Sequence, residues 1–176
     1  MFDLVDGIPA HALYVHAPLV LISLTLLLGA GYVVVPPVRS RIDWALVVLA
    51  VGGAGSALAA TLSGERLKER LGETDVIDRH AEYGEMTRNL AAVLLVVVLL
   101  LVLADRRRAA RKRRQRALAE GDDPGAPGRP AGGGVWTVVS VLLSLALLGV
   151  GGATGTYLFL VGDSGARMVW EGTAER

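Results

Sequence analysis

His11-Ala12-Leu13-Tyr14-Val15-His16-Ala17-Pro18 nearly recurs at His80-Ala81-Glu82-Tyr83-Gly84-Glu85, and each copy stands before a long apolar run. A second repeat lies beyond the runs: Val51-Gly52-Gly53-Ala54-Gly55 has a counterpart in Val150-Gly151-Gly152-Ala153-Thr154. The pattern reads as two copies of one unit: a histidine-bearing lead-in, an apolar helix, a turn and a glycine-rich apolar helix. The expected fold is an all-α membrane protein, a four-transmembrane-helix bundle built from two similar helical hairpins. All three histidines of the chain lie in the lead-ins.

The first run, 12–35, has His16 as its one ionisable group. At about 1.5 Å per residue it is long enough for a hydrocarbon layer of roughly 30 Å. Pro36-Pro37 stops it, because neither residue can donate to a continuing helix. The other expected spans are 43–64, 87–104 and 136–161, all within one domain covering 1–176. The third is short, with uncharged sequence only over 89–104, so its polar ends are expected at headgroup depth. Residues 63–71 read as a polar helical extension of the second span, with Gly72 as its stop. The segment 105–134 is expected to be a basic, then Gly/Pro-rich, loop.

Charge distribution sets the expected orientation. Nine Lys/Arg fall in 105–134 and two in 36–41, on one side of the bundle; 62–88, on the other, holds five against seven Asp/Glu. Loops rich in Lys and Arg stay cytoplasmic, so both termini and the histidines are expected outside a bacterial cytoplasmic (inner) membrane. The acidic start, with Asp3 and Asp6 before the first run, does not read as a cleavable signal peptide. The cluster Arg106–Arg116 is expected to determine topology and to meet anionic lipid. It lacks aromatic interleaving and a recognisable module, which argues against nucleic acid. The absence of cysteine excludes disulfides, thiolate metal sites and covalent haem attachment.

At His11–Pro18, with Ser63-Gly64-Glu65 and His80-Ala81-Glu82-Tyr83-Gly84, the chain resembles a bacterial membrane family catalogued as domain of unknown function 2231. The likeness spans most of the chain outside 105–134. The family's opening motif is His-Pro-x-x-Val-His-x-Pro, and Ala12 stands where proline is common. The resemblance also implies a histidine in a Gly-His-x-Gly-like segment after the last span. Here that place reads Gly162-Asp163-Ser164-Gly165, so Asp163 departs from the pattern. The resemblance implies a small four-helix membrane protein, and it carries no activity with it.

Three readings of the histidines stand open. Two of His11, His16 and His80 would ligate a b-type haem between helices, serving electron transfer. Alternatively, His11, His16 and His80, with Asp163, Glu82 or Glu85, would hold a divalent metal. In the third, they carry no cofactor and the protein is a structural or partner-binding subunit. His16, about one turn into the first span with Ser23 on nearly the same face, is expected to turn toward the bundle interior. His11 and His80 are expected in the headgroup layer. His80 is the position common to the favoured pairings. The glycines of the second and fourth spans are expected to let those two helices approach closely. No phosphate loop, nucleophile elbow or His-Glu-x-x-His helix supports an enzyme. No chain of intramembrane charges supports a transport path.

Overall fold

A computed structural model describes residues 4–5, 8–72, 74–120 and 134–170. A two-residue antiparallel ladder, β1 (Leu4–Val5) with β2 (Ile8–Pro9), leads into α1 (Ala10–Tyr14) and α2 (His16–Val34). The interruption at Val15 follows from Pro18, whose missing N–H leaves the Tyr14 carbonyl without its helical donor. Val35 adopts an extended φ of −119° ahead of Pro36, as pre-proline sterics require. A 3-10 turn (Pro36–Val38) then delivers the chain into α3 (Arg39–Leu71). Gly72 ends α3 with φ +85°, a conformation that costs glycine nothing, and its N–H bonds the Lys68 carbonyl at 3.0 Å. Thr74 opens α4 (Asp75–Glu120), its hydroxyl accepting from Ile77 N–H at 3.4 Å. The last helix is α5 (Gly134–Trp170).

Among the described residues, four helical stretches are long and apolar enough to cross a membrane: Ala10–Val34, Pro36–Leu71, Asp75–Ala117 and Gly134–Trp170. They form a four-helix membrane bundle in the cyclic order α2, α3, α4, α5, with the thinnest seam where α5 returns to α2. The core changes character along its length. At one end Tyr32, Leu46, Leu94, Val98, Leu101 and Leu147 make a bulky cluster. Toward the other, the buried cluster narrows to Ile22, Ala57, Ala91 and Leu158. Ala60, Ser63 and Thr87 continue that small-residue core toward the histidines.

Two sequence expectations change here. The basic segment after residue 104 is no loop: α4 runs unbroken to Glu120. Arg, Lys, Ala, Leu and Gln are strong helix formers, and a helix already nucleated in the bundle adds residues at little cost. The remaining stretch, 121–133, lies outside the described residues. The glycines do not join the second and fourth spans, which are diagonal in the bundle. Gly52 and Gly53 take Leu21 and Ile22 of α2, while Gly151 and Gly155 take Leu26 of the same helix. All four reduce the helix surface so that α2 can seat.

The bulky end carries a polar clamp that spacing did not reveal. Asp105 of α4 accepts from the hydroxyl of fully buried Tyr32 at 3.1 Å and from Arg39 at 3.0 Å. Arg39 also donates to the Tyr32 carbonyl at 2.8 Å, covering an end of α2 that has no helical donor left. Buried Asp43 accepts from Arg106 at 2.8 Å. These bonds join α2, α3 and α4 at this end of the bundle.

Candidate functional site

At the end of the bundle away from the clamp, His11 of α1 and His80 of α4 meet. Their ring centroids are 6.2 Å apart and their planes 89° to one another. Both imidazoles are half-buried. His16 is exposed on α2, and Ser23 is exposed as well, so the polar stripe expected to face the interior lies on the outer surface. Asp163 forms an ion pair with Arg167 at 2.8 Å, one turn along α5. Among the described residues, no three His, Cys, Asp or Glu side chains gather where they could hold a metal ion.

Each imidazole lies against the helix next to its own, in the same local arrangement. His11 Nδ1 is 3.0 Å from the Ala60 carbonyl and 3.2 Å from Ser63 Oγ on α3, and Ser63 Oγ donates to the Ala60 carbonyl at 2.8 Å. His80 Nδ1 is 2.8 Å from Ser164 Oγ on α5, and Ser164 Oγ donates to the Val161 carbonyl at 3.1 Å. A glycine follows each serine. A Cβ on Gly64 would lie 3.0 Å from His11 Cε1, and one on Gly165 would lie 3.2 Å from His80 Cε1. Glycine at both places lets a flat ring lie on the helix backbone.

The partners at Nδ1 bear on which nitrogen carries the hydrogen. A carbonyl only accepts, so His11 Nδ1 carries a hydrogen, and in the neutral ring Nε2 then keeps its lone pair. His80 Nδ1 lies within hydrogen-bond distance of the Ser164 hydroxyl, which can act as donor or acceptor, and the Val161 carbonyl offers the ring a backbone acceptor as well. Two imidazoles thus meet, each tied at Nδ1 to the neighbouring helix. Groups on the ring nitrogen remote from a ligand are what hold metal-binding histidines in orientation and tautomer.

Ser63 and Ser164 are the members of this site that sequence reading missed. A signal was present: Ser63-Gly64-Glu65-Arg66 is echoed by Ser164-Gly165-Ala166-Arg167. Matching the glycine-rich stretches instead places the two helices two residues out of that register.

A family model described as a predicted membrane protein, DUF2231, matches residues 7–175. No curated protein and no solved structure matches the chain.

Proposed function

The chain belongs to the DUF2231 family of predicted membrane proteins, and we propose that it uses His11 and His80 as the axial ligands of a b-type haem. The carrying observation is the 6.2 Å between the two ring centroids. Metal–nitrogen bonds of about 2.0–2.1 Å on both sides put the centroids of two trans imidazoles roughly 6 Å apart. The donor set points the same way. A haem brings four nitrogens of its own, so two protein ligands complete it. A non-haem divalent metal needs more, and His16 and Asp163 stand elsewhere, on the surface of α2 and in the pair with Arg167. The glycines beneath each ring let the two imidazoles seat closely on α3 and α5, and histidines on facing helices are the usual way a bundle holds haem.

A haem closed by two histidines supplies one-electron transfer rather than chemistry on a bound substrate. The protein's part would be to hold the two imidazoles in place, each with Nδ1 tied to the neighbouring helix.

The orientation we infer puts the arginine end in the cytoplasm and both termini outside a bacterial inner membrane, by the excess of Lys and Arg over 36–41 and 105–134. The site then faces outward. In that orientation Arg106–Arg116 descends from headgroup depth with its side chains exposed, suited to anionic lipid of the inner leaflet.

The test is a visible spectrum of detergent-purified protein after reconstitution with haem. One haem per chain with a low-spin Soret band is expected. Perpendicular imidazole planes leave the two π-symmetry d orbitals of iron nearly degenerate, so the oxidised form should give a strongly anisotropic low-spin EPR signal. No uptake of haem, together with normal assembly of His11→Ala and His80→Ala, would overturn the reading in favour of a structural or partner-binding subunit.

A further inference from the structure

His16 and Ser23, which stand apart from the imidazole pair, belong to a longer pattern on α2. His16, Val20, Ser23, Leu27, Ala30 and Val34 recur at alternating steps of four and three, and all six are exposed. That spacing is the seam of a packed helix pair. On α5, Leu145, Gly149, Gly152, Thr156, Phe159 and Asp163 follow the same steps; Asp163 is half-buried and the other five are exposed. Ala30 of one stripe and Gly152 of the other border the same seam cavity, so the two stripes form one face of the bundle. The outward face of α4 carries Val93, Val96, Leu99, Leu100 and Leu103 instead.

Lipid alone suits the α2–α5 face poorly. Thr25, Thr61, Ser144 and Thr156 each donate to a carbonyl of their own helix. Ser23, near the middle of Ala10–Val34, has no hydrogen-bond partner among the described residues, and hydrocarbon offers it none. A Cβ on Gly149 or Gly152 would meet nothing within 4 Å, so α5 is hollow there. Within the chain, Leu26 sits against Gly151 and Gly155, Leu147 against Gly29 and Leu19 against Gly162. By those contacts, and to within a turn, His16 stands level with Asp163, Ser23 with Thr156 and Leu27 with Gly152.

A second copy in the same membrane has the same orientation, and a two-fold axis along the membrane normal keeps every residue at its own depth. With that axis in front of the seam, α2 of each copy lies against α5 of the other. We infer that the α2–α5 face is the interface of a symmetric dimer, its occupant a second copy of this chain. The match is one of shape, charge and hydrogen bonding. Leu27 enters the hollow at Gly149 and Gly152, His16 meets the Asp163 carboxylate of the other copy, and Ser23 reaches backbone that glycine leaves bare. The contact occurs twice per dimer, and one crossing at small residues already holds a helix pair in a bilayer.

The chain has no cysteine, so introduced thiols report proximity cleanly. Two differently tagged full-length chains, one Val20→Cys and the other Phe159→Cys, are co-expressed and oxidised in native membranes. A disulfide joining the two tags forms only between copies, and it is the expected result. Val96→Cys with Phe159→Cys should give none. Single-molecule photobleaching in liposomes, over a range of protein-to-lipid ratios, then reads the dimer fraction. Gly152→Leu should weaken dimerisation by about tenfold or more by filling the hollow. Its side chain has room in the monomer, and an unchanged melting temperature in detergent checks the fold. Ser23→Ala should weaken dimerisation by about three- to tenfold, since two interhelical hydrogen bonds are lost per dimer. His16→Asp should weaken it by repulsion from Asp163, and Asp163→His in the same chain should restore it. A monomer at every ratio would overturn the inference and leave the face to lipid. So would equal cross-linking through Val96→Cys, dimerisation unaffected by Gly152→Leu or Ser23→Ala, or no recovery in the exchanged pair. Neither His11 nor His80 lies on this face, so the result is independent of haem.

Discussion

His11 and His80 are partners because each Nδ1 is tied to a neighbouring helix and each ring seats on a glycine. His16, although nearer the middle of its span, is exposed on α2. The consequence for mutagenesis reverses the order that depth alone suggests. His11→Ala and His80→Ala should each reduce the haem-to-protein ratio at least tenfold, while His16→Ala should leave it within about twofold of wild type. Pyridine haemochrome assay of the purified variants measures this, and retention of haem by His11→Ala would refute the assigned pair. Gly64 gives a second check on the geometry. A methyl group there would press on Cε1 of His11 at 3.0 Å, against a ring that its hydrogen bonds do not let slide. Gly64→Ala should cost about 1–3 kcal/mol as overpacking, read as a lower melting temperature and a broadened Soret band. A variant indistinguishable from wild type would show that the ring has room to move.

Among the elements, α4 does the most. It carries His80 near one end, contributes the core residues Leu94, Val98 and Leu101, and supplies Asp105 to the clamp at the other end. Asp105 gathers a tyrosine hydroxyl and a guanidinium, so removing either donor leaves a mostly buried carboxylate short of a partner. Arg39→Ala should lower stability by about 1–3 kcal/mol, visible as an earlier thermal transition in detergent. Tyr32→Phe removes the hydroxyl while keeping the ring, and should cost less than Arg39→Ala. The haem spectrum of both should stay as in wild type, since the bulky core lies between clamp and site. A spectral change in Arg39→Ala without loss of stability would reveal coupling along the bundle. The continuation of α4 to Glu120 has a local cause: the sequence past Asp105 favours helix, and Arg111 stacks over the Trp136 ring at 5.0 Å, joining α4 to α5.

On the scale of the whole molecule, charge and site are segregated: arginines crowd one end and the imidazole pair occupies the other. If the arginine end is cytoplasmic, a periplasm-active reporter fused after Gly72 should be active and one fused after Gly125 silent. Reporter activities in the opposite sense would invert the topology and place the site on the cytoplasmic side. The thin seam between α2 and α5, where Gly29, Gly151 and Gly152 border a cavity of about 270 Å³, makes that seam the first place for the bundle to part on heating. Hydrogen exchange should then be faster at membrane depth in α5 residues facing α2 than in those facing α4.

The sequence by itself determined the four spans, their stop at Pro36-Pro37, the break at Gly72 and the placing of all histidines at one end. These are local properties. Apolar length and proline chemistry act on a few consecutive residues, and a bilayer admits only a backbone whose hydrogen bonds close within the helix. The tertiary structure decided which histidines pair, which serines hold them, and that Tyr32, Arg39 and Asp105 meet. Each of those outcomes depends on how far a helix is turned about its axis, and hydropathy fixes that turn poorly when every face is apolar. His16 shows the point: the stripe it forms with Ser23 is visible in the sequence, but the side of α2 that met the bundle was chosen by the fit of Ile22, Thr25, Gly29 and Tyr32 into the core, which left the stripe outside.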